Sequence, residues 1–163
     1  MKIAVVGAGN MGGAVARSLV KAGMLPAADV TVSDLSDAVL QRFSEQGYPV
    51  THDNVRAVKG ADVVFLVVKP WLVEQLVKEL KGALDYASQV FVCIAAGITP
   101  EQLTEWLGTD DAGVAPQSFL VIPNTAIEIG ESMTYISVVT STEGQTTTHR
   151  RVDSWAWTQP FRS

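Results

Sequence analysis

Gly7, Gly9 and Gly12 stand at G-x-G-x-x-G spacing directly behind the apolar run Ile3 to Val6, and a helical pattern begins at once after them. That order is what a dinucleotide pyrophosphate needs. Gly7 permits a tight turn, Gly9 lets the backbone come close to phosphate oxygens, and Gly12 lets the next helix pack on the strand. Ala8, Asn10 and Met11 complete the loop, whose N–H groups face an anion with the helix dipole behind them. Asp34 closes the second apolar run about 20 residues further on, the separation expected of an acid that bonds both ribose hydroxyls. A 2′-phosphate beside that carboxylate would be repelled, and no Lys or Arg occurs from Ser33 to Gln41. Ser33 and Ser36 could nevertheless bond a phosphate. The expected cofactor is therefore NADH or NADPH, with NADH slightly favoured.

Three further stretches carry side chains suited to a ligand crevice. Val67, Val68, Lys69 and Pro70 end a central apolar run, where ligands bind in open α/β sheets. Pro70 biases Lys69 towards extended geometry, so backbone groups there can face a flat ring; alternatively Lys69 is an exposed residue that only ends the strand. Ile94, Ala95, Ala96 and Gly97 end the next strand with small side chains, either for a ring to lie against or for close helix–strand packing. Asn124 follows Pro123, and its amide could bond a carboxamide or carboxylate, or simply close an Asx-turn. Cys93 reads as a small buried hydrophobe. His52 and His149 have no metal-ligand or triad context, and His52 reads as an exposed loop residue.

The elements that must position these residues alternate. After the strand Ile3–Val6 come a helix over 11–22, a strand over 29–32, a helix over 37–46 carrying Val39, Leu40 and Phe43 inward, and a short strand at 50–51. Asn54 is a good N-cap for a short helix ending before Gly60. Residues 62–68 show no polar alternation, so both faces should be buried, as in a central parallel strand. Val73, Leu76, Val77 and Leu80 line the next helix, and Trp71 could rim a cleft. A strand over 90–95 follows, then Thr99-Pro100-Glu101-Gln102 opens a helix with a capping box. Residues 119–122 and 133–139 read as further strands. The pattern implies an α/β fold: a Rossmann-type, doubly wound, mainly parallel sheet.

At 163 residues the chain has the length of one domain, nearly half of it apolar, with a net charge of −5 and no block of like charges. Nucleic acid and anionic membrane surfaces are not expected partners. No apolar run reaches a membrane span, no targeting segment precedes the first strand, and one cysteine rules out an internal disulfide and cysteine-rich metal sites. The expected location is the cytoplasm. Residues 146–163 differ from the rest: periodicity is lost, three arginines face one aspartate, and Trp155 and Trp157 are two of the four tryptophans. The dinucleotide-binding domain is read as 1–145, and 146–163 as an atypical tail, either docked on the domain through its tryptophans or frame-shifted or appended by cloning.

Four segments together resemble the pyrroline-5-carboxylate reductase family: Gly7-Ala-Gly-Asn-Met-Gly12, Val67-Val-Lys-Pro70, Ile94-Ala-Ala-Gly-Ile98, and Ile122-Pro-Asn-Thr125 continuing to Gly130-Glu-Ser-Met-Thr134. The resemblance spans about residues 1 to 140 and implies that this is the N-terminal domain, with the family's C-terminal helical domain absent. It implies hydride transfer from a reduced nicotinamide to the C=N bond of 1-pyrroline-5-carboxylate, giving L-proline. It also implies that Asn54 contacts the adenosine ribose, and that the full-length enzyme is a homodimer or larger, holding substrate largely through the second domain. No dedicated catalytic acid is evident in these residues, and no metal is expected. The family commonly has an arginine where Leu120 stands, a methionine at Ile122 and a proline at Ala126. Alternatives are a related deazaflavin-dependent nicotinamide oxidoreductase and a non-catalytic dinucleotide-sensing module.

Overall fold

The computed structural model describes residues 1–122, 134–140 and 149–152. Strand and helix alternate through β1 (Ile3–Val6), α1 (Asn10–Lys21), β2 (Val30–Ser33), α2 (Asp37–Glu45), β3 (Val50–Thr51), α3 (Asn54–Val58), β4 (Val63–Leu66), α4 (Pro70–Leu80), β5 (Val90–Ile94), α5 (Pro100–Leu107) and β6 (Gln117–Ile122), followed by β7 (Thr134–Thr140) and β8 (His149–Val152). One sheet runs in the order β3-β2-β1-β4-β5-β6-β7-β8. Its first six strands are parallel. β7 and β8 are added antiparallel. This is the Rossmann-type doubly wound arrangement, and its order reverses between β1 and β4.

The period-2 alternation of each strand feeds two cores. Ile3, Val5, Phe65 and Ile94 face one side, with Val15 and Leu19 of α1 and Leu40 and Phe43 of α2. Ala4, Val6, Leu66 and Cys93 face the other, with Val73 and Val77 of α4 and Leu103 of α5. Each fully buried Val or Leu contributes about 1.5–3 kcal/mol, so the unpatterned apolar run at β4 is the centre of the fold rather than a surface strand. The buried Gln89 side chain is fully bonded. Gln89 donates through Nε2 to the carbonyls of Val58 and Ala61 at 2.8 and 2.7 Å, and its Oε1 accepts from the Asp85 amide at 2.8 Å. Asp62 accepts the Lys2 amide at 2.6 Å, tying the start of β4 to the start of β1.

The helix ends follow local chemistry. The Thr99 hydroxyl accepts the Gln102 amide at 3.2 Å, and the Gln102 side chain accepts the Thr99 amide at 3.0 Å, which is the expected capping box. Asn54 is not the cap of α3. Asp53 occupies that position, its carboxylate accepting the Arg56 amide at 2.9 Å while Thr51 Oγ1 accepts the Asp53 amide at 3.0 Å, which leaves the Asn54 side chain for other partners. α1 starts one residue before the expected position, because Gly9 is its N-cap. β2 starts one residue late, since Asp29 belongs to a 3-10 turn over Ala27–Asp29. β4 stops at Leu66, not 68: the Val67 amide still bonds the Val6 carbonyl at 2.8 Å, but the chain then turns into Pro70. β8 falls inside the tail that showed no periodicity, paired to β7 from His149↔Ser137 to Val152↔Thr134. Trp155 and Trp157 lie outside the described residues.

Cys93 is fully buried, and desolvation pushes its thiol up to about 12. The thiol of the unfolded chain ionises near 8.5, so stability is undiminished below that pH and falls as pH rises from about 8.5 towards 12. The native protein should resist iodoacetamide at pH 8 and react within minutes in denaturant. Mass spectrometry of the alkylated chain checks this, and rapid native labelling would show that β5 opens locally.

Candidate dinucleotide site

The carboxyl ends of β1, β4 and β5 open on one cleft of about 950 Å³. Gly9, Asn10, Met11 and Gly12 form one wall, Val67, Val68, Lys69 and Pro70 a second, and Ile94, Ala95 and Ala96 a third. Three separated segments of the sequence thus converge at the point where strand order reverses, the usual ligand crevice of an open α/β sheet.

The loop is built by close backbone approach. Gly7 has φ +87°, and a Cβ there would sit 2.3 Å from the Val67 carbonyl oxygen. A Cβ on Gly12 would sit 1.8 Å from the Gly7 carbonyl oxygen and 3.2 Å from Val67 Cβ. Gly9 differs: nothing lies within 4 Å of a Cβ built there, so its open side faces the cleft. Gly9 caps α1 without any side-chain hydrogen bond and no acidic residue occupies the first turn, so the positive end of the helix is left for a ligand.

Ser33, Asp34 and Asn54 gather beside the loop at the end of β2. The Gly7 amide bonds the Ser33 carbonyl at 2.9 Å, and the Ala8 amide donates to Asp34 Oδ2 at 2.8 Å. Asp34 Oδ1 accepts the Ser36 amide at 2.9 Å. A carboxylate offers about four lone-pair sites, so each oxygen keeps one for a ligand hydroxyl. The buried Ser33 hydroxyl donates to Asn54 Oδ1 at 2.9 Å, and Asn54 Nδ2 donates to Glu79 at 3.3 Å. Asn54 is therefore tied into the rim from α3 towards α4.

Lys69 is exposed on the cleft wall as the N-cap of α4, extended at φ −60° and ψ 143° with Pro70 at the first helical position. Ala96 is exposed, and Gly97 just beyond it has φ +79°. Trp71 is 76 % exposed and is not among the cleft's lining residues, whereas Leu72 is. Asn124 lies outside the described residues. Ala14 and Arg17 also line the cleft and escaped the sequence reading. The Arg17 guanidinium carbon lies 5.6 Å from the Phe43 ring centroid, a cation–π distance. Their signal was the spacing of Asn10, Ala14 and Arg17, which places them on one helix face opposite Val15 and Leu19. His52 is the exposed loop residue expected, its ring nitrogens 2.9 Å from the Asp34 carbonyl and 2.8 Å from the Asp37 carboxylate.

These contacts separate the two glycines in a measurable way. Gly12→Ala should cost about 1–3 kcal/mol, because the new methyl must displace backbone. Gly9→Ala should stay within about 1 kcal/mol of the parent. Urea unfolding of the two variants checks the difference, and equal stability would contradict the packed loop.

Residues 2–97 match the family described as NADP oxidoreductase coenzyme F420-dependent. The chain is 34% identical over 142 residues to the pyrroline-5-carboxylate reductase of Arabidopsis thaliana, covering 85% of this chain and 48% of that protein. It is 38% identical over 133 residues to the pyrroline-5-carboxylate reductase of Vibrio alginolyticus, covering 81% and 46%. The structure of a pyrroline-5-carboxylate reductase from Coxiella burnetii superposes with a TM-score of 0.76 at 26% identity, covering 87% of this chain and 52% of that one. The chain spans about half the length of these relatives. It belongs to the NADP oxidoreductase coenzyme F420-dependent family.

Proposed function

We propose that this chain is the cofactor-binding half of a pyrroline-5-carboxylate reductase. The observation that carries the reading is the convergence of the glycine loop, residues 67–70 and residues 94–96 on one cleft at the switch point of the sheet. Backbone amides of residues 9–12 would hold the pyrophosphate, with the α1 dipole behind them, the Ala8 amide being taken by Asp34. The free lone pairs of Asp34 would take the adenosine ribose hydroxyls, with Asn54 held beside them by Ser33. Residues 67–70 and the small side chains of 95–97 would form the floor for the nicotinamide, and Asn124 would bond its carboxamide or the substrate carboxylate. The reduced dinucleotide, when bound, supplies a hydride for the C=N carbon of 1-pyrroline-5-carboxylate, yielding L-proline. The contribution of these residues is to hold and orient the ring, which accounts for much of the acceleration of a two-substrate step. Among the described residues of the cleft, the titratable side chains are those of Arg17 and Lys69.

The matched family description names a deazaflavin coenzyme, which keeps a second reading in view: a nicotinamide oxidoreductase that uses coenzyme F420. The pyrroline-5-carboxylate reductases among the similar proteins support the first. Oxidation of NADH by pyrroline-5-carboxylate against oxidation by F420 separates the two.

Two measurements test the proposal. Calorimetric titration should show NADH binding tighter than NADPH to the parent chain, because Asp34 repels a 2′-phosphate; Asp34→Ser should move the preference towards NADPH. Gly9→Val should remain folded yet lose at least about tenfold in affinity, since its side chain would fill the open side of the loop. Unchanged binding by a folded Gly9→Val protein would sink the assignment of residues 7–12.

Residues 1–163 alone should also turn over pyrroline-5-carboxylate poorly. Among the described residues nothing closes over the cleft, and an open cleft leaves water around the reacting atoms and forfeits orientation. Spectrophotometric NADH oxidation with saturating substrate checks this beside a relative of full length. Turnover within about tenfold of that relative would show that this chain forms the whole site.

A further inference from the structure

We propose that Glu79 of α4 is a positioning residue for the dinucleotide: it holds the Asn54 amide so that an N–H, rather than the carbonyl, is presented to the adenosine ribose. The inference rests on the dinucleotide reading of the cleft given above. It assigns a role to a residue that is not among those lining the cleft.

Three hydrogen bonds run outward from the glycine loop. The Ser33 carbonyl accepts the Gly7 amide at 2.9 Å, the Ser33 hydroxyl donates to Asn54 Oδ1 at 2.9 Å, and Asn54 Nδ2 donates to Glu79 Oε1 at 3.3 Å. The two ends of a side-chain amide are nearly alike in shape, so its partners decide which end lies where. Ser33 does not decide it, because a hydroxyl can donate to the oxygen or accept from the nitrogen. Glu79 does. Carboxylate oxygens accept and do not donate, so the reversed amide would set oxygen against oxygen. A residue of α4 thus fixes the polarity of a side chain on the neighbouring helix.

The rest of the arrangement makes that polarity useful. Asn54 is available because Asp53 caps α3 in its place. Ser33 is fully buried and Asn54 half-buried, so the carbonyl end is turned inward and the amino end outward. One N–H of Nδ2 goes to Glu79, and among the described residues the other has no partner. Asp34, by contrast, keeps only lone pairs. Each ribose hydroxyl has one hydrogen, which Asp34 would take. A second acceptor beside Asp34 would find none left, whereas a donor complements it.

The plain alternative is that Glu79 is a solvated carboxylate on the exposed side of α4, as Glu74 is, paired with Lys78 at 2.6 Å. The two readings differ in sign. A dinucleotide is an anion, so a carboxylate acting only through its charge repels it, and removing that charge should tighten binding. A carboxylate acting through Asn54 should weaken binding when it is removed.

Calorimetric titration with NADH and with ADP-ribose separates them. Glu79→Ala should bind both ligands about two- to fivefold more weakly than the parent chain, although a negative charge has been taken away. Glu79→Gln, whose Oε1 can still accept from Asn54, should stay within about twofold of the parent. In an Asn54→Ala background, Glu79→Ala should bring no further weakening, whereas a general effect on α4 would add to it. ADP-ribose keeps the adenosine half, so an equal loss with both ligands locates the effect at that end. Unchanged or tighter binding by Glu79→Ala, an equal loss in Glu79→Gln, a loss with NADH alone, or a full loss on top of Asn54→Ala would overturn the proposal while leaving the cofactor reading intact. Failure of the parent chain to bind either ligand would overturn both.

Discussion

The shortest approach in the loop, Gly12 against the carbonyl of Gly7, sets everything around it. A Cβ at residue 12 would lie 1.8 Å from that oxygen, so α1 can start where it does only because the side chain is a hydrogen atom. The same approach brings the first turn of α1 against Val67, at the point where β4 hands over to the turn before Pro70. Three strand ends are locked together as a result: β1 through the loop, β4 through Val67, and β2 through the bonds from Gly7 and Ala8 to Ser33 and Asp34. The cleft is what remains open once those contacts are made. Its shape is a consequence of backbone packing, and the side chains that line it are mostly small or apolar.

Features governed by local rules were legible in the sequence. The glycine spacing, the Thr99–Gln102 box and the unalternated run at 62–68 each state their structure in a few consecutive residues. What escaped was decided by distant partners. Asp53 and Asn54 are equally good caps by residue type. The bond from the Asp53 amide to Thr51 selects the first, and Ser33, far back in the chain, claims the second. The partners of His52, which lies in the exposed loop its sequence implies, are brought to it only by the β2–β3 pairing. Ala14 and Arg17 resemble any solvent-facing stripe until the cleft is known. β8 has no periodic signature because its strand state is set by the edge that β7 presents, not by its own alternation.

Leu120 illustrates how a departure from family pattern can be read physically. It is 4% exposed on β6, in register with Cys93 and packed in the core shared with α4 and α5. A guanidinium there would have to be desolvated, and it would need a partner and further hydrogen bonds to offset that cost. Leucine removes the requirement and gains apolar contact instead. The positive charges near the cleft are then on its rim, Lys69 and Arg17, where water screens them and the cost of carrying them is small.

Asp34 carries two duties that pull against each other. Its carboxylate staples the Ala8 amide of the loop to the Ser36 amide of the next turn, and its remaining lone pairs face the place where a ribose would lie. Exchanging it for a residue that welcomes a 2′-phosphate therefore also removes an acceptor from two backbone amides. Each such bond is worth about 0.5–1.5 kcal/mol net, and more where the orphaned donor is shielded from water. Serine could accept one of the two amides, and asparagine could accept one through its carbonyl while turning an N–H towards the other. A route to NADPH that leaves Asp34 in place and adds a cation beside it avoids this conflict.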